Sequence, residues 1–161
     1  MPAPLVLFET RVKPEWLDEY GHMNVANYVL VCDQATYAFW EYANDGLTLD
    51  QRQGAEYAVV ETHVNYLREV RLNDPLKVVT QLLGCDTKRF RLFHTMYHVD
   101  EESVAATNEI MALGFDLNTR DLMSFRPEVS ERLSAILNEH SQLPVPKNAG
   151  RAIAMQRARK A

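Results

Sequence analysis

Disulfides, long apolar runs and internal repeats are all missing from this chain, and each absence narrows what it can be. Only two cysteines, Cys32 and Cys85, occur in 161 residues. Both sit inside apolar patterns without metal-ligand spacing, which argues against a disulfide-stapled scaffold or a metal centre and fits a reducing cytoplasm. No uncharged apolar run approaches the roughly 20 residues of a membrane-spanning helix. Met1 to Thr10 carries no basic leader ahead of its apolar residues, so the expectation is a cytoplasmic protein with no membrane partner. Without repeats or low-complexity stretches, a solenoid or scaffold is also excluded. Basic charge is scarce as well. Of the 17 Lys and Arg, Lys147, Arg151, Arg157, Arg159 and Lys160 lie in a tail that has no acidic residue. Removing those five from the net charge of −5 leaves residues 1 to 146 at −10. So acidic a body is a poor surface for polyanions, and no nucleic-acid partner is expected.

What is present is enough apolar material for one ordinary core: 47% of the residues are hydrophobic. Leu5 to Val12 alternates as a strand. From Val25 the apolar positions Val25, Tyr28, Val29, Cys32, Ala35, Thr36, Phe39 and Ala43 recur at three- and four-residue steps, which predicts a long helix with Asn24 as its cap. The period then changes to two over residues 58–66, and turn signals at Asn73-Asp74-Pro75, Asp86-Thr87-Lys88 and Asp100-Glu101-Glu102 separate further strands over 76–84, 89–99 and 103–117. Strand, long helix, then four long strands joined by short turns predicts an α+β fold, an antiparallel β-sheet running as a meander and wrapped around one long central helix, as in the hot-dog arrangement. Val129, Leu133, Ile136 and Leu137 predict a short C-terminal helix. The expected division is a domain over 1–125, followed by that helix and a basic tail over 126–161.

The segment Asp18-Glu-Tyr-Gly-His-Met-Asn-Val-Ala-Asn-Tyr28 concentrates polar groups just where the long helix begins. Unpaired amides at a helix start carry the positive end of its dipole and suit a developing oxyanion. A carboxylate beside them can act as a base on water or attack a carbonyl directly. A glycine at position 21 lets backbone approach a substrate closely, and His22 and Asn24 can orient water or a carbonyl. Each also has a plain structural role available: a loop carboxylate, a packing histidine, a helix cap.

With Asp18, Gly21, His22, Asn24 and Tyr28 in an Asp-x-x-Gly-His-x-Asn-like run, this segment resembles the 4-hydroxybenzoyl-CoA thioesterase family. The run Val59-Val-Glu-Thr-His-Val-Asn-Tyr-Leu-Arg-Glu-Val-Arg-Leu-Asn-Asp-Pro-Leu76 is similar to the family's next strand and turn. Within the family the chain looks closest to the betainyl-CoA thioesterase-like branch, through Trp16 to Met23, Leu83 to Arg89 and Ala149 to Ile153. Val25 stands where the family often has a second asparagine, and Asp33 where relatives commonly carry a glutamate.

The resemblance implies an acyl-CoA thioesterase that needs no cofactor beyond the CoA of its substrate and no metal. It implies Asp18, His22 and Asn24 as catalytic residues, with the Val25 amide as oxyanion donor. Trp16, Tyr20, Gly21, Tyr28 and Glu61 are expected at the substrate, and Lys88 and Arg89 at the CoA phosphates. A betainyl group would call for aromatic faces, for which Tyr37 and Trp40 are further candidates. The family closes its sites between protomers, so a homodimer or dimer of dimers is expected. Other readings on the same fold are an aryl- or medium-chain acyl-CoA thioesterase, an acyl-thioester dehydratase and a non-catalytic acyl-CoA binding protein.

Overall fold

The computed structural model describes residues 1–155. In chain order the elements are β1 (Leu5–Arg11), a 3-10 turn (Pro14–Trp16), α1 (Val25–Ala43), α2 (Leu49–Arg52), β2 (Ala55–Tyr66), β3 (Pro75–Cys85), β4 (Arg89–His98), β5 (Ser103–Asp116) and α3 (Pro127–His140). The strands form one sheet in the order β1-β3-β4-β5-β2, every neighbouring pair antiparallel, and α1 lies against it as the hot-dog fold requires. No helix among the described residues is long and apolar enough to cross a membrane.

The strands depart from a plain meander at one point. β3, β4 and β5 follow one another, but β2 crosses to the far edge and pairs with β5, from Ala55↔Asp116 to Tyr66↔Ala106. Residues 67–74 make that crossing. They carry the fully buried Val70 beneath the start of α1, and the Met23 amide donates to the Val70 carbonyl at 2.9 Å. The crossover therefore delivers the end of β2 to the mouth of the helix.

Asn24 caps α1, its side chain accepting from the Ala26 amide at 2.9 Å. The buried stripe is Tyr28, Val31, Cys32, Ala35, Thr36, Phe39, Trp40 and Ala43. Val25 drops out of the expected stripe and is 57% exposed. Val25 borders the open space at the helix start instead of the core, whereas Val31 and Trp40 fall within the wide apolar stripe that a core-facing helix presents. The core divides into two clusters along α1. Met23, Tyr28, Val31, Val70, Leu76 and Met96 belong to one, and Phe39, Trp40, Leu82, Phe90 and Phe125 to the other.

Between them runs a buried polar chain. His94 Nε2 lies 2.8 Å from Thr36 Oγ1, and His94 Nδ1 lies 2.9 Å from Thr80 Oγ1. Because Thr36 also donates to the Cys32 carbonyl at 3.2 Å, its oxygen is left to accept from Nε2–H, and Nδ1 accepts from Thr80.

α2 carries no apolar periodicity long enough to be legible and is held by a Thr48/Gln51 capping box. Its Arg52 is fully buried and paired with Glu56, which also accepts from the Trp40 indole at 2.8 Å. α3 adds Val129, Leu133 and Ile136 to the second cluster. Beyond it the chain returns to the outer face of the sheet. There the Gly150 amide donates to Glu109 Oε2 at 2.7 Å and Arg151 to Asn65 Oδ1 at 3.3 Å. Of the basic tail, Arg157, Arg159 and Lys160 lie outside the described residues.

Candidate active site

The approach to α1 is a short hairpin closed by the Leu17↔Met23 bridge. The Asp18 amide donates to the His22 carbonyl at 2.9 Å, and the Gly21 amide to the Asp18 carbonyl at 3.1 Å. Gly21 sits at φ +81, with nothing within 4 Å of an added Cβ, so the backbone conformation and not crowding calls for glycine there. Inside the turn, Asp18 Oδ1 accepts from the Tyr20 amide at 2.9 Å and the His22 amide at 3.4 Å. One carboxylate oxygen thus holds the loop. Oδ2 makes no hydrogen bond among the described residues.

The mouth of the helix is pinned from two sides. On one, the Trp16 carbonyl accepts from the Asn24 amide at 2.8 Å and from Asn27 Nδ2 at 3.1 Å. On the other, the Tyr66 hydroxyl donates to the Val25 carbonyl at 3.2 Å and the Tyr28 hydroxyl to the Arg68 carbonyl at 3.0 Å. The two tyrosine rings meet edge to face, 5.3 Å between centroids. Burial, foremost, pushes both phenols above their ordinary value, which keeps them as donors. Among the first amides of α1, Ala26 is taken by the Asn24 side chain and Asn27 by the Asn24 carbonyl. The Val25 amide makes no hydrogen bond among the described residues.

These groups surround a cleft of about 490 Å³ lined by Asp18, Tyr20, His22, Met23, Val25, Tyr28 and residues 66–69. Glu69 contributes a second carboxylate, its Oε2 3.1 Å from His22 Nε2. Cys32 lies beneath as an inert thiol, burial pushing it up to about 12.

The structure therefore brings Asp18, Tyr20, His22, Val25 and Tyr28 together, with Gly21 at the tip of the same turn. It sets the other expected residues elsewhere. Trp16 is buried in the first core cluster beneath the Lys13 ammonium, 5.1 Å from its ring. The Asn24 side chain is committed to its cap. Trp40 is core, and the Tyr37 hydroxyl accepts from Arg52 at 3.3 Å. Glu61 lines a different cavity of about 600 Å³ with His63, Arg91, Glu109 and residues 150–153. Lys88 and Arg89 occupy the β3–β4 turn, Arg89 bound to Asp86 at 2.6 Å. An eleven-residue strand, roughly 35 Å long, separates that turn from the start of β3.

Sequence reasoning missed Tyr66 and Glu69. Tyr66 sat in the alternation of its strand without any sign of what it would meet. Glu69 lies in the irregular crossing, where no periodicity assigns a direction.

A hot-dog sheet around one helix, with a carboxylate loop and an unsatisfied amide at the helix mouth, defines the thioesterase-like class of protein. The chain belongs to the thioesterase-like superfamily, whose family model matches residues 12–133. It is 36% identical to a betainyl-CoA thioesterase of Pseudomonas aeruginosa, over 96% of this chain and 98% of that protein. It is 38% identical to an L-carnitine dehydrogenase/betainyl-CoA thioesterase of Agrobacterium fabrum, over 93% of this chain but only 30% of that longer protein. Among solved structures, a Staphylococcus aureus protein in complex with CoA superimposes with a TM-score of 0.85 at 26% identity, covering 96% of this chain and 98% of that one.

Proposed function

We propose that this protein hydrolyses an acyl-CoA thioester at the cleft between Asp18 and the mouth of α1. The observation that carries the proposal is the pairing of a carboxylate held by two backbone amides with an unpartnered helix-start amide on the same cleft. Thioester hydrolysis makes two demands, a group that delivers oxygen to the carbonyl carbon and a donor for the negative charge on the carbonyl oxygen. Asp18 Oδ2 meets the first, either by taking a proton from water or by attacking directly. The Val25 N–H meets the second, with the dipole of a nineteen-residue helix behind it. His22, oriented by Glu69, borders the same space and is suited to holding water or the thioester.

The acyl group that best fits is betainyl. Its quaternary ammonium asks for aromatic faces and negative potential, and the cleft offers Tyr20, Tyr28 and Tyr66 with the carboxylates of Asp18 and Glu69. The curated relatives that carry the betainyl-CoA thioesterase name support the same choice. Lys88 and Arg89 lie too far along the sheet to reach CoA from their own cleft, so they would serve it only on another copy.

The working unit in this reading is a homodimer or a dimer of dimers. β2 is a twelve-residue edge strand that exposes Val59 at 40% and Val60 at 56%, and α1 exposes Leu30 at 39% and Tyr37 at 40%. An exposed edge strand of this length, with two valines at its centre, is a template for pairing with another copy.

The test is thiol release from betainyl-, acetyl-, benzoyl- and octanoyl-CoA by wild type and Asp18→Asn. Asparagine keeps an oxygen for the Tyr20 and His22 amides, so the loop survives while the base or nucleophile is lost. The expected result is cleavage of betainyl-CoA in preference to the others, and a fall of about 100-fold or more in Asp18→Asn. No release from any substrate defeats the function. Undiminished release by Asp18→Asn defeats the assignment.

A further inference from the structure

We infer that Tyr66 is a positioning residue, holding the first peptide of α1 so that the Val25 amide points into the cleft. This rests on Val25 as the oxyanion donor. The first turn of a helix receives no intrahelical hydrogen bonds on its N–H groups and is the part that frays most readily. Side-chain packing does not hold its first residue here, because Val25 is 57% exposed. Hydrogen bonds do. Asn24, on the N-terminal side of the peptide, is fixed by its amide to the Trp16 carbonyl at 2.8 Å. On the C-terminal side, the Val25 carbonyl accepts from the Tyr66 hydroxyl at 3.2 Å.

Tyr66 is itself anchored to the sheet. It is the last residue of β2, paired with Ala106, and the next two amides, Leu67 and Arg68, both donate to the Ala105 carbonyl at 2.9 and 3.0 Å. Its ring stands on Tyr28, whose hydroxyl closes the loop by donating to the Arg68 carbonyl at 3.0 Å. A rigid line of contacts thus runs from the paired strand β5, through the end of β2 and the Tyr66 hydroxyl, to the residue that carries the free amide. Mutual orientation of this kind governs transition-state stabilisation while leaving ground-state binding nearly unchanged.

The test is a double-mutant cycle with Tyr66→Phe, Val25→Pro and the pair, read by kcat and KM on each acyl-CoA that wild type cleaves, with melting curves alongside. Tyr66→Phe keeps the ring and its contact with Tyr28. The expected result is a fall of about tenfold in kcat, the scale of one lost hydrogen bond, with KM within about twofold, an unchanged melting point and the same fractional loss on every acyl group. In the Val25→Pro background, where the amide is already gone, Tyr66→Phe should cost nothing further. Wild-type kcat in Tyr66→Phe, together with an impaired Val25→Pro, overturns the inference and leaves the oxyanion reading standing. Equal losses in both backgrounds, or a loss confined to KM or to one acyl group, overturn it too, since the Tyr66 hydroxyl would then be touching substrate and not the Val25 carbonyl. Wild-type kcat in Val25→Pro removes the oxyanion reading and this inference with it.

Discussion

Val25→Pro deletes one hydrogen-bond donor and almost nothing else. Val25 is the first residue of α1, the position where proline is tolerated best because its missing N–H has no intrahelical partner. The residue before a proline must be extended, and Asn24 already sits at φ −59 and ψ 143. The Val25 side chain is 57% exposed, so its loss leaves no cavity. Its carbonyl still accepts from Tyr66. Fixing φ at this point reduces the freedom of the unfolded chain, which predicts stability unchanged or raised by up to about 1 kcal/mol. Activity should move the other way. Removing a single oxyanion donor costs about 3 to 4 kcal/mol of transition-state stabilisation, or 100- to 1000-fold in kcat. Steady-state thiol release on the best substrate, with a thermal melt of the same preparation, measures both. A variant that melts like wild type yet retains kcat within about threefold refutes the role given to this amide. A change confined to KM refutes it as well, because the proline ring would then be acting only as an obstruction.

Further outcomes follow from the same geometry. Burial pushes His94 down to about 3, so the folded protein holds it neutral while the unfolded chain takes up a proton below about 6.5. Its contribution to stability is full above the unfolded value and is lost as pH falls from about 6.5 toward 3. Between pH 7 and 5 that loss is about 2 kcal/mol. Urea unfolding of wild type and His94→Gln at the two pH values should show the stability gap between them shrinking by about that amount, and a constant gap would contradict the buried neutral ring. Gly21→Ala places a side chain at φ +81, which should cost about 1 to 2 kcal/mol and lower activity by disturbing the Asp18 turn; a melting point and kcat both equal to wild type would count against that. Val60→Lys puts a charge on the exposed edge of β2. Sedimentation should show a smaller species, and an unchanged assembly would move the proposed interface elsewhere.

The long periodic elements are legible in the sequence because their side-chain patterns report one neighbour each. The helix over 25–43 and the strands have that property, and Asn24 could be placed as a cap from its type and position alone. The crossing of β2 to the far edge was not legible. Alternation reveals which side of a strand is buried but not which strand lies beside it, and the turn signal at Asn73-Asp74-Pro75 reads the same for a hairpin as for the end of a crossover. The same limit shaped the site. Asp18, Tyr20, His22, Val25 and Tyr28 are neighbours along the chain and were found together. Tyr66 and Glu69 reach the cleft only through that crossing. Trp16 and Trp40 show the reverse error, since proximity in sequence to a polar motif does not decide whether an indole faces the motif or the core.

In the proposed reading, the division of the core along α1 sets the chemistry and the bulk of the aromatic packing at opposite ends of one rod. Phe39, Trp40, Phe90 and Phe125 act as ballast for a mouth that must stay open and partly unsatisfied. Attempts to raise heat tolerance should therefore begin at the Phe90 end, where tighter packing can add rigidity without narrowing the space that a reacting carbonyl needs.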